Sequence, residues 1–364
     1  MLLSAVLLLV AADPAFGRPI QDISAWQREK HDLLSGFSNM YQPCVREIPG
    51  QDYRYKMWFF GWAVGVGNKG YPGCDAIFHA RSKDLRRWEI YSGEGRWDYT
   101  MNPKLWVPVI TADNKPYDAW HNGDPSVVYK DGRFYMAFTA TGKPERVPFH
   151  LTPMLSCVMG ATSQDGIHWK KSKQPFLIEP PEMQHPKDGK GWTGEYARPS
   201  LMWDQGKWRL WFDYWQPGGG TCMGYAENTG VFDEPCGFKI LRAGDNPLIV
   251  QWTNPEVVKV GNRYHSFADP PGYPGKRQSP NHWTSRQLCE AVSDDGLRWA
   301  VVGFISPDDD APACHVPQAL VTVVDGKSWL YLFYATQRGG EPKYDFRYDR
   351  IRAMRREITR ESIR

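Results

Sequence analysis

One hairpin is written five times in this chain, and no single feature restricts the fold more. Its clearest copy is WHNGDPSVVYKDGRFYMAFTAT, Trp120 to Thr141. A polar segment marked by Pro leads into a short apolar strand, a Lys-Asp-Gly turn and a second strand rich in aromatics. The pattern returns at RPSLMWDQGKWRLWFDYW (Arg198 to Trp215) and NPEVVKVGNRYHSFAD (Asn254 to Asp269). Looser copies are VPQALVTVVDGKSWLYLFYAT (Val316 to Thr336) and QPCVREIPGQDYRYKMWFFGW (Gln42 to Trp62).

A second half-unit repeats with it. CDAIFHARSKDLRRWEIYSG (Cys74 to Gly93), SCVMGATSQDGIHWKKS (Ser156 to Ser172) and LCEAVSDDGLRWAVVG (Leu288 to Gly303) share Ser-x-Asp-[Leu/Gly]-x-x-Trp. Residues 221–240 carry it with a longer turn, and 346–359 as a truncated copy. Ser82/Asp84/Trp88, Ser163/Asp165/Trp169 and Ser293/Asp295/Trp299 have a local meaning. Ser and Asp can bond the turn's own amides, Gly supplies a positive φ, and Trp anchors the returning strand. These aspartates are therefore read as structural.

About four antiparallel strands per unit, five times over, predict an all-β, five-bladed propeller. The blades fall near 39–95, 118–178, 192–248, 250–306 and 313–358, within one domain at 39–358. Separate beads on a string fail as an alternative, because no unit is large enough to bury its own sheet faces. The last blade lacks an outer strand, so either the N-terminal segment supplies it or the blade stays short. Residues 18–38 read as a short helical lead-in that packs across the end of the fold or closes it, and 359–364 as a tail.

Residues 1–17 hold an apolar run of about ten residues, the length of a signal-peptide core and too short to span a bilayer. Ala15-Phe-Gly17 offers a cleavage site, although no Lys or Arg precedes the run. Export to a periplasm or the extracellular space is expected; a displaced start codon or an anchor is the competing reading. No other segment approaches a membrane span.

The net charge of +3 gives no reason to expect nucleic acid as a partner. The 17 Trp and 18 Tyr suit either the packing of many short sheets or carbohydrate contacts, since their rings pair an apolar face with a polar edge. Seven cysteines are no disulfide scaffold; Cys222 with Cys236, and Cys44 with Cys314, are the pairings the topology would allow. There is no C-x-x-C, hence no zinc site of the common kind. No cofactor is expected. A structural ion at the propeller axis has no ligand-spacing motif behind it, and nothing fixes the oligomeric state.

In a propeller the first strand of each blade lines the central channel. The residues flanking the repeat's Pro should face it together, by the period of two. They are Gln42/Cys44, Asp124/Ser126, Arg198/Ser200, Asn254/Glu256 and Val316/Gln318, a set no apolar core would choose. The second strands return Asp213 and Asp269 to the same mouth, and His121, Glu195 and His315 stand just upstream of the first strands. Carboxylates crowded in one site repel one another, which lets one stay protonated as an acid while another is ionised as a base. Paired carboxylates around a sugar are the core of glycoside hydrolysis. The rival reading has Asp124 or Glu256 merely pairing with Arg198 to hold blades together.

The five-unit pattern, the Asp-Pro-x-Val start at Asp124 and the Ser-x-Asp hairpins resemble the five-bladed propeller glycosidases, families 32, 43, 68 and 117, with family 130 related. The resemblance spans about residues 39–358, and the hairpin motif is shared with sialidases. It implies a base Asp on the first strand of blade one, a second Asp on blade two and an acid Glu on blade three. Asp124 matches the blade-two place. Blade one has Gln42 instead, and blade three has Arg198, with Glu195 three residues upstream. The resemblance thus implies either that roles have moved to Glu195, Asp213, Glu256 or Asp269, or that the reaction has been lost or changed. A late-blade His serves at the axis in several of these families, a part open to His315.

The sequence therefore leads to an exported enzyme cleaving a glycosidic bond in an oligo- or polysaccharide. Asp124 would orient the substrate or tune the acid, Glu195 or Glu256 would donate the proton, and another carboxylate would activate water. Arg198, His121, His315, Asn254 and Gln318 would contact the sugar, with Trp120 and Trp192 as a stacking wall. A non-catalytic carbohydrate-binding propeller is the alternative, and an interaction scaffold the third reading. A phosphorylase would need a basic phosphate pocket, for which Arg198 alone is thin support.

Overall fold

The computed structural model describes residues 21–22, 26–37, 39–62, 75–113, 117–119, 121–142, 155–178, 193–216, 220–234, 237–244, 246–270, 287–305, 314–336 and 350–359. Among these the chain is almost wholly strand, and the strands form a five-bladed β-propeller. Blade one comprises Met40–Glu47, Tyr55–Trp62, Asp75–Ser82, Glu89–Tyr91 and Trp97–Asp98. His121–Lys130, Arg133–Gly142, Leu155–Ser163 and Lys170–Lys171 make blade two, and Thr193–Asp204, Lys207–Gln216, Gly220–Asn228 and Lys239–Arg242 blade three. Blade four is Glu256–Val260, Arg263–Ala268, Leu288–Ser293 and Ala300–Ile305; blade five is Cys314–Val324, Lys327–Thr336 and Arg350–Glu357. Each inner strand packs on the next, and the fifth on the first, so the ring closes.

The inner hairpins turn where the sequence says they should. Asp131–Gly132, Gln205–Gly206 and Asp325–Gly326 bridge paired strands, and in each both residues have positive φ. That is the two-residue turn whose twist matches the strands. The Ser-x-Asp hairpins also do what local chemistry predicts. Ser163 Oγ accepts the amides of Asp165 and Gly166, Asp165 Oδ1 accepts those of Ile167 and His168, and Trp169 Nε1 donates to Gly166 O. Ser293, Asp295 and Trp299 repeat it. The turn carbonyls also staple blades: Trp58 of blade one donates to Gly166 O of blade two, and Trp211 of blade three to Gly296 O of blade four.

The described part of the lead-in is not helical. Its described residues form short strands on outer edges, because there they meet sheet edges with unpaired backbone groups. Gln21–Asp22 runs parallel to the outer strand of blade four, while Gln27–Arg28 and Leu34–Ser35 pair with Arg350–Glu357 of blade five. The N-terminal segment thus supplies what blade five lacks. Trp26, 5% exposed, packs edge-on against Phe267 of blade four and lies under the Arg356 guanidinium of blade five. That guanidinium forks onto Glu290 at 2.8 and 2.9 Å, and Glu290 also meets His265 Nδ1 at 2.7 Å.

Cys44 and Cys314 are thiols rather than halves of a disulfide; Cys222 is likewise a thiol, and Cys236 lies outside the described residues. No helix among the described residues is long and apolar enough to cross a membrane.

Candidate active site at the channel mouth

In all five blades the residue before the repeat's Pro is left-handed: φ is 51° at Gln42, 51° at Asp124, 50° at Arg198, 54° at Asn254 and 47° at Val316. Non-glycine residues seldom adopt this conformation, least of all a β-branched Val. The ladder shifts register there in blades one, two, three and five. A bulge at this point re-aims a side chain, so the simple alternation expected across the Pro is interrupted. The positions on either side of the Pro consequently do different jobs.

The position after the Pro builds a belt around the channel. Cys44 Sγ accepts the amide of Val127 at 3.2 Å, Ser126 Oγ that of Leu201 at 2.9 Å, Ser200 Oγ that of Val257 at 2.8 Å, and Glu256 Oε1 that of Ala319 at 3.2 Å. Each bond crosses from one blade to the next. Glu256 Oε2 also accepts the Ser200 hydroxyl at 3.0 Å. Burial pushes the Glu256 carboxyl above its ordinary range, against the pull of Arg46 and these donors. Arg46 Nη2 stands 3.8 Å from Glu256, and its other nitrogens donate to carbonyls of Val45, Val127 and Ala319. Gln318 is buried at the fifth place, where its amide also helps to hold the Glu256 carboxyl down.

A second set of joints lies nearer the mouth. The amide of each left-handed residue in blades three, four and five is accepted by a side chain on, or one residue past, the preceding blade's second strand. Thr139 Oγ1 takes Arg198 N–H at 2.7 Å, Asp213 takes Asn254 N–H at 3.0 Å, and Asp269 takes Val316 N–H at 2.8 Å. Asp213 also faces Arg198 Nη1 at 3.3 Å, and Asp269 holds Asn254 Nδ2 and His315 Nδ1. Both aspartates are buried and engaged.

Asp124 is placed differently. It is 3% exposed, its Oδ1 receives no hydrogen bond from the protein, and His121 Nε2 stands 3.9 Å from its Oδ2. Burial pushes its carboxyl up, but His121, the Arg198 guanidinium and Thr139 outweigh that and hold it below the usual carboxylate range. It is therefore ionised at neutral pH. His121 folds back over its own strand because residue 123 is glycine: a Cβ there would lie 2.7 Å from His121 Nε2 and 2.6 Å from Phe60. Phe60 packs on Tyr41 at 4.1 Å, and Tyr41 meets His315 edge-on at 5.6 Å. One side of the mouth is thus aromatic.

Of the residues expected here, the fold brings Asp124, His121, Arg198 and Asp213 together, and Asn254, Asp269 and His315 together. Glu256 and Gln318 sit in the belt. The backbone of Glu195 runs beside Ser156 of blade two at the start of its strand. Trp120 and Trp192 lie outside the described residues. The sequence reading missed Arg46 and Thr139, although both had a signal. Arg46 continues the period of two from Gln42 and Cys44, and Thr139 stands at the repeat position of Asp213.

No family model matches the chain, and no curated protein does. Solved structures do. A family 32 β-fructofuranosidase of Bombyx mori superposes with a TM-score of 0.54 at 13% identity, over 93% of this chain and 64% of that longer one. A family 117 glycoside hydrolase of Zobellia galactanivorans gives 0.56 at 13%, covering 91% and 90%. An α-L-arabinofuranosidase from Lactobacillus brevis gives 0.54 at 11%, covering 88% and 91%. The fold is that of the five-bladed propeller glycosidases. At these identities the likeness is one of fold alone, and the residues at the mouth are this chain's own.

Proposed function

We propose that the chain is an exported glycoside hydrolase acting at the mouth of its propeller channel. The observation that carries the reading is Asp124, a buried and ionised carboxylate one of whose oxygens receives no hydrogen bond from the protein. Asp213, Asp269 and Glu256 are joints between blades, which leaves Asp124 to act on a ligand. A base must be ionised and within reach of the proton it removes. Asp124 takes a proton from water as the water oxygen attacks the anomeric carbon. The departing glycosidic oxygen needs a proton in return. Glu195, whose strand begins blade three beside blade two, is its donor. His121 and Arg198 keep Asp124 ionised, and Tyr41 gives a sugar ring an apolar face to lie against. The activities named for the structural neighbours, on fructofuranosides and arabinofuranosides, agree with a carbohydrate substrate.

One observation favours a second reading, a carbohydrate-binding propeller without turnover. Gln42, an amide, stands where blade one of the family it resembles would carry its base. Turnover of a panel of aryl glycosides and oligosaccharides, with sugar binding measured in parallel, separates the two. The enzyme reading expects release from at least one substrate. Binding with no release supports the second, and neither leaves a scaffold.

A further inference from the structure

We infer that the seam between blades five and one binds a tetrahedral oxyanion, a phosphate or sulfate group, either free or carried as a monoester. A cavity of about 330 Å³ opens there, lined by Arg54, Lys83 and Arg86 of blade one and Arg355 of blade five, with the hairpin turn at Asp325 on its rim. Asp325 lies at the far end of the inner strand that starts at the mouth with Cys314. At the rise of an extended chain that is roughly 30 Å away. The site is therefore separate from the one around Asp124, and it does not rest on the hydrolase reading.

Other copies of the same turn show what is particular to this seam. Residues 164–168 read Gln-Asp-Gly-Ile-His and 294–298 Asp-Asp-Gly-Leu-Arg, whereas 83–87 read Lys-Asp-Leu-Arg-Arg. At the seams of blades one with two and three with four, the Trp58 and Trp211 indoles close on the turn glycine, where a Cβ would meet them at 2.8 and 3.0 Å. Blade five has Phe333 at that register, and the blade-one turn has Leu85 in place of glycine, so no indole staples it. The cations here are held in place by neutral groups. The Arg355 guanidinium lies over the Trp329 ring at 4.2 Å and donates to the Tyr331 hydroxyl at 3.1 Å. Arg54 donates to the Tyr55 hydroxyl and, across the seam, to Val323 O at 2.9 Å. Arg54 and Lys83 also have carboxylate partners, Glu47 and Asp52; Arg86 and Arg355 meet none among the described residues. Of the two carboxylates that line the cavity, Asp84 is committed to its own hairpin, where Oδ1 accepts the amides of Arg86 and Arg87. Asp325 is exposed and opposes an anion. Guanidinium forks bond oxyanions through paired N–H groups, so two uncompensated forks beside an ammonium suit a group with several acceptor oxygens better than a neutral hydroxyl.

The test is calorimetric titration of the full chain at constant ionic strength with inorganic phosphate, inorganic sulfate, a sugar phosphate and a sugar sulfate, with chloride and the unesterified sugar as controls. At least one of the four oxyanion probes should bind saturably at one site per chain. Arg86→Gln and Arg355→Gln should each weaken it about tenfold or more, the loss of a charge-assisted bond, and Asp325→Asn should tighten it. Arg86 is exposed and its side chain bonds nothing among the described residues, so its variant keeps the test decisive even where Arg355→Gln folds poorly. Esters that bind above the free ions would show that the group arrives on a larger molecule; otherwise the free ion is the ligand, and either result supports the site. No saturable binding of any oxyanion probe would overturn the inference. So would chloride binding as well as they do, or affinity that Arg86→Gln leaves unchanged.

Discussion

The carboxylate of Asp213 accepts the backbone N–H of Asn254 at 3.0 Å, across the boundary between blades three and four. Asp269 does the same for Val316, and Thr139 for Arg198. The acceptor sits one blade back from a residue whose left-handed backbone would otherwise leave its amide buried and alone. Asp213→Ala should therefore lower the unfolding free energy by about 1–3 kcal/mol, the cost of an unsatisfied buried donor. Asp213→Asn keeps an acceptor oxygen and should lose clearly less. Chemical denaturation of the two variants decides it; equal losses would mean the bond contributes nothing.

Gly123 makes a prediction of the opposite kind, about too much matter rather than too little. A methyl group at this position meets Phe60 and His121 at 2.6–2.8 Å. Gly123→Ala should cost about 1–3 kcal/mol through overpacking, and should push His121 away from Asp124. Losing that neighbour raises the Asp124 carboxyl, so the acid limb of activity should move to higher pH. A variant that keeps the parent's pH profile would show that His121 does not govern Asp124.

Trp26 joins the N-terminal segment to blades four and five at once. Trp26→Ala should destabilise the protein by about 3–5 kcal/mol, as for a large buried aromatic. Limited proteolysis should then cut first near the released segment. If the melting temperature stays within a degree or two, the segment is an ornament rather than a closure.

The hairpin aspartates set part of the pH dependence of stability. Burial opposes ionisation of Asp165 and Asp295, but the backbone amides and the His168 or Arg298 side chain bonded to each win, and both carboxyls are depressed. Their contribution is fully present above the unfolded value of about 3.9 and is lost as pH falls toward the folded value. Melting temperatures from pH 5 to pH 2 should fall less steeply for the double variant Asp165→Ala/Asp295→Ala than for the parent. A parallel fall would contradict the assignment.

How much of this the sequence showed depends on range. Asp-Gly turns and Ser-x-Asp hairpins are short-range chemistry, so the five blades and the structural role of Asp84, Asp165 and Asp295 were legible from the residues alone. The lead-in was not, because Gln27–Arg28 and Leu34–Ser35 are strands only through an edge more than 300 residues away. The site was half legible. Period and repeat brought the right polar residues to the channel, but they cannot say which carboxylate is already committed to another blade. Asp213, Asp269 and Glu256 looked as available as Asp124 until their partners across the blade boundaries were known.

The central claim is that Asp124 works while the other axial carboxylates hold the ring, and the direct measurement is kcat/KM of Asp124→Asn against pH beside the parent. The account predicts a loss of about 10²–10⁴-fold in a protein that still folds cooperatively. It also predicts that the parent's activity persists below the ordinary aspartate value of about 3.9 before failing as Asp124 takes up a proton. A folded Asp124→Asn protein that turns over like the parent, or a parent that cleaves no glycoside, would contradict it.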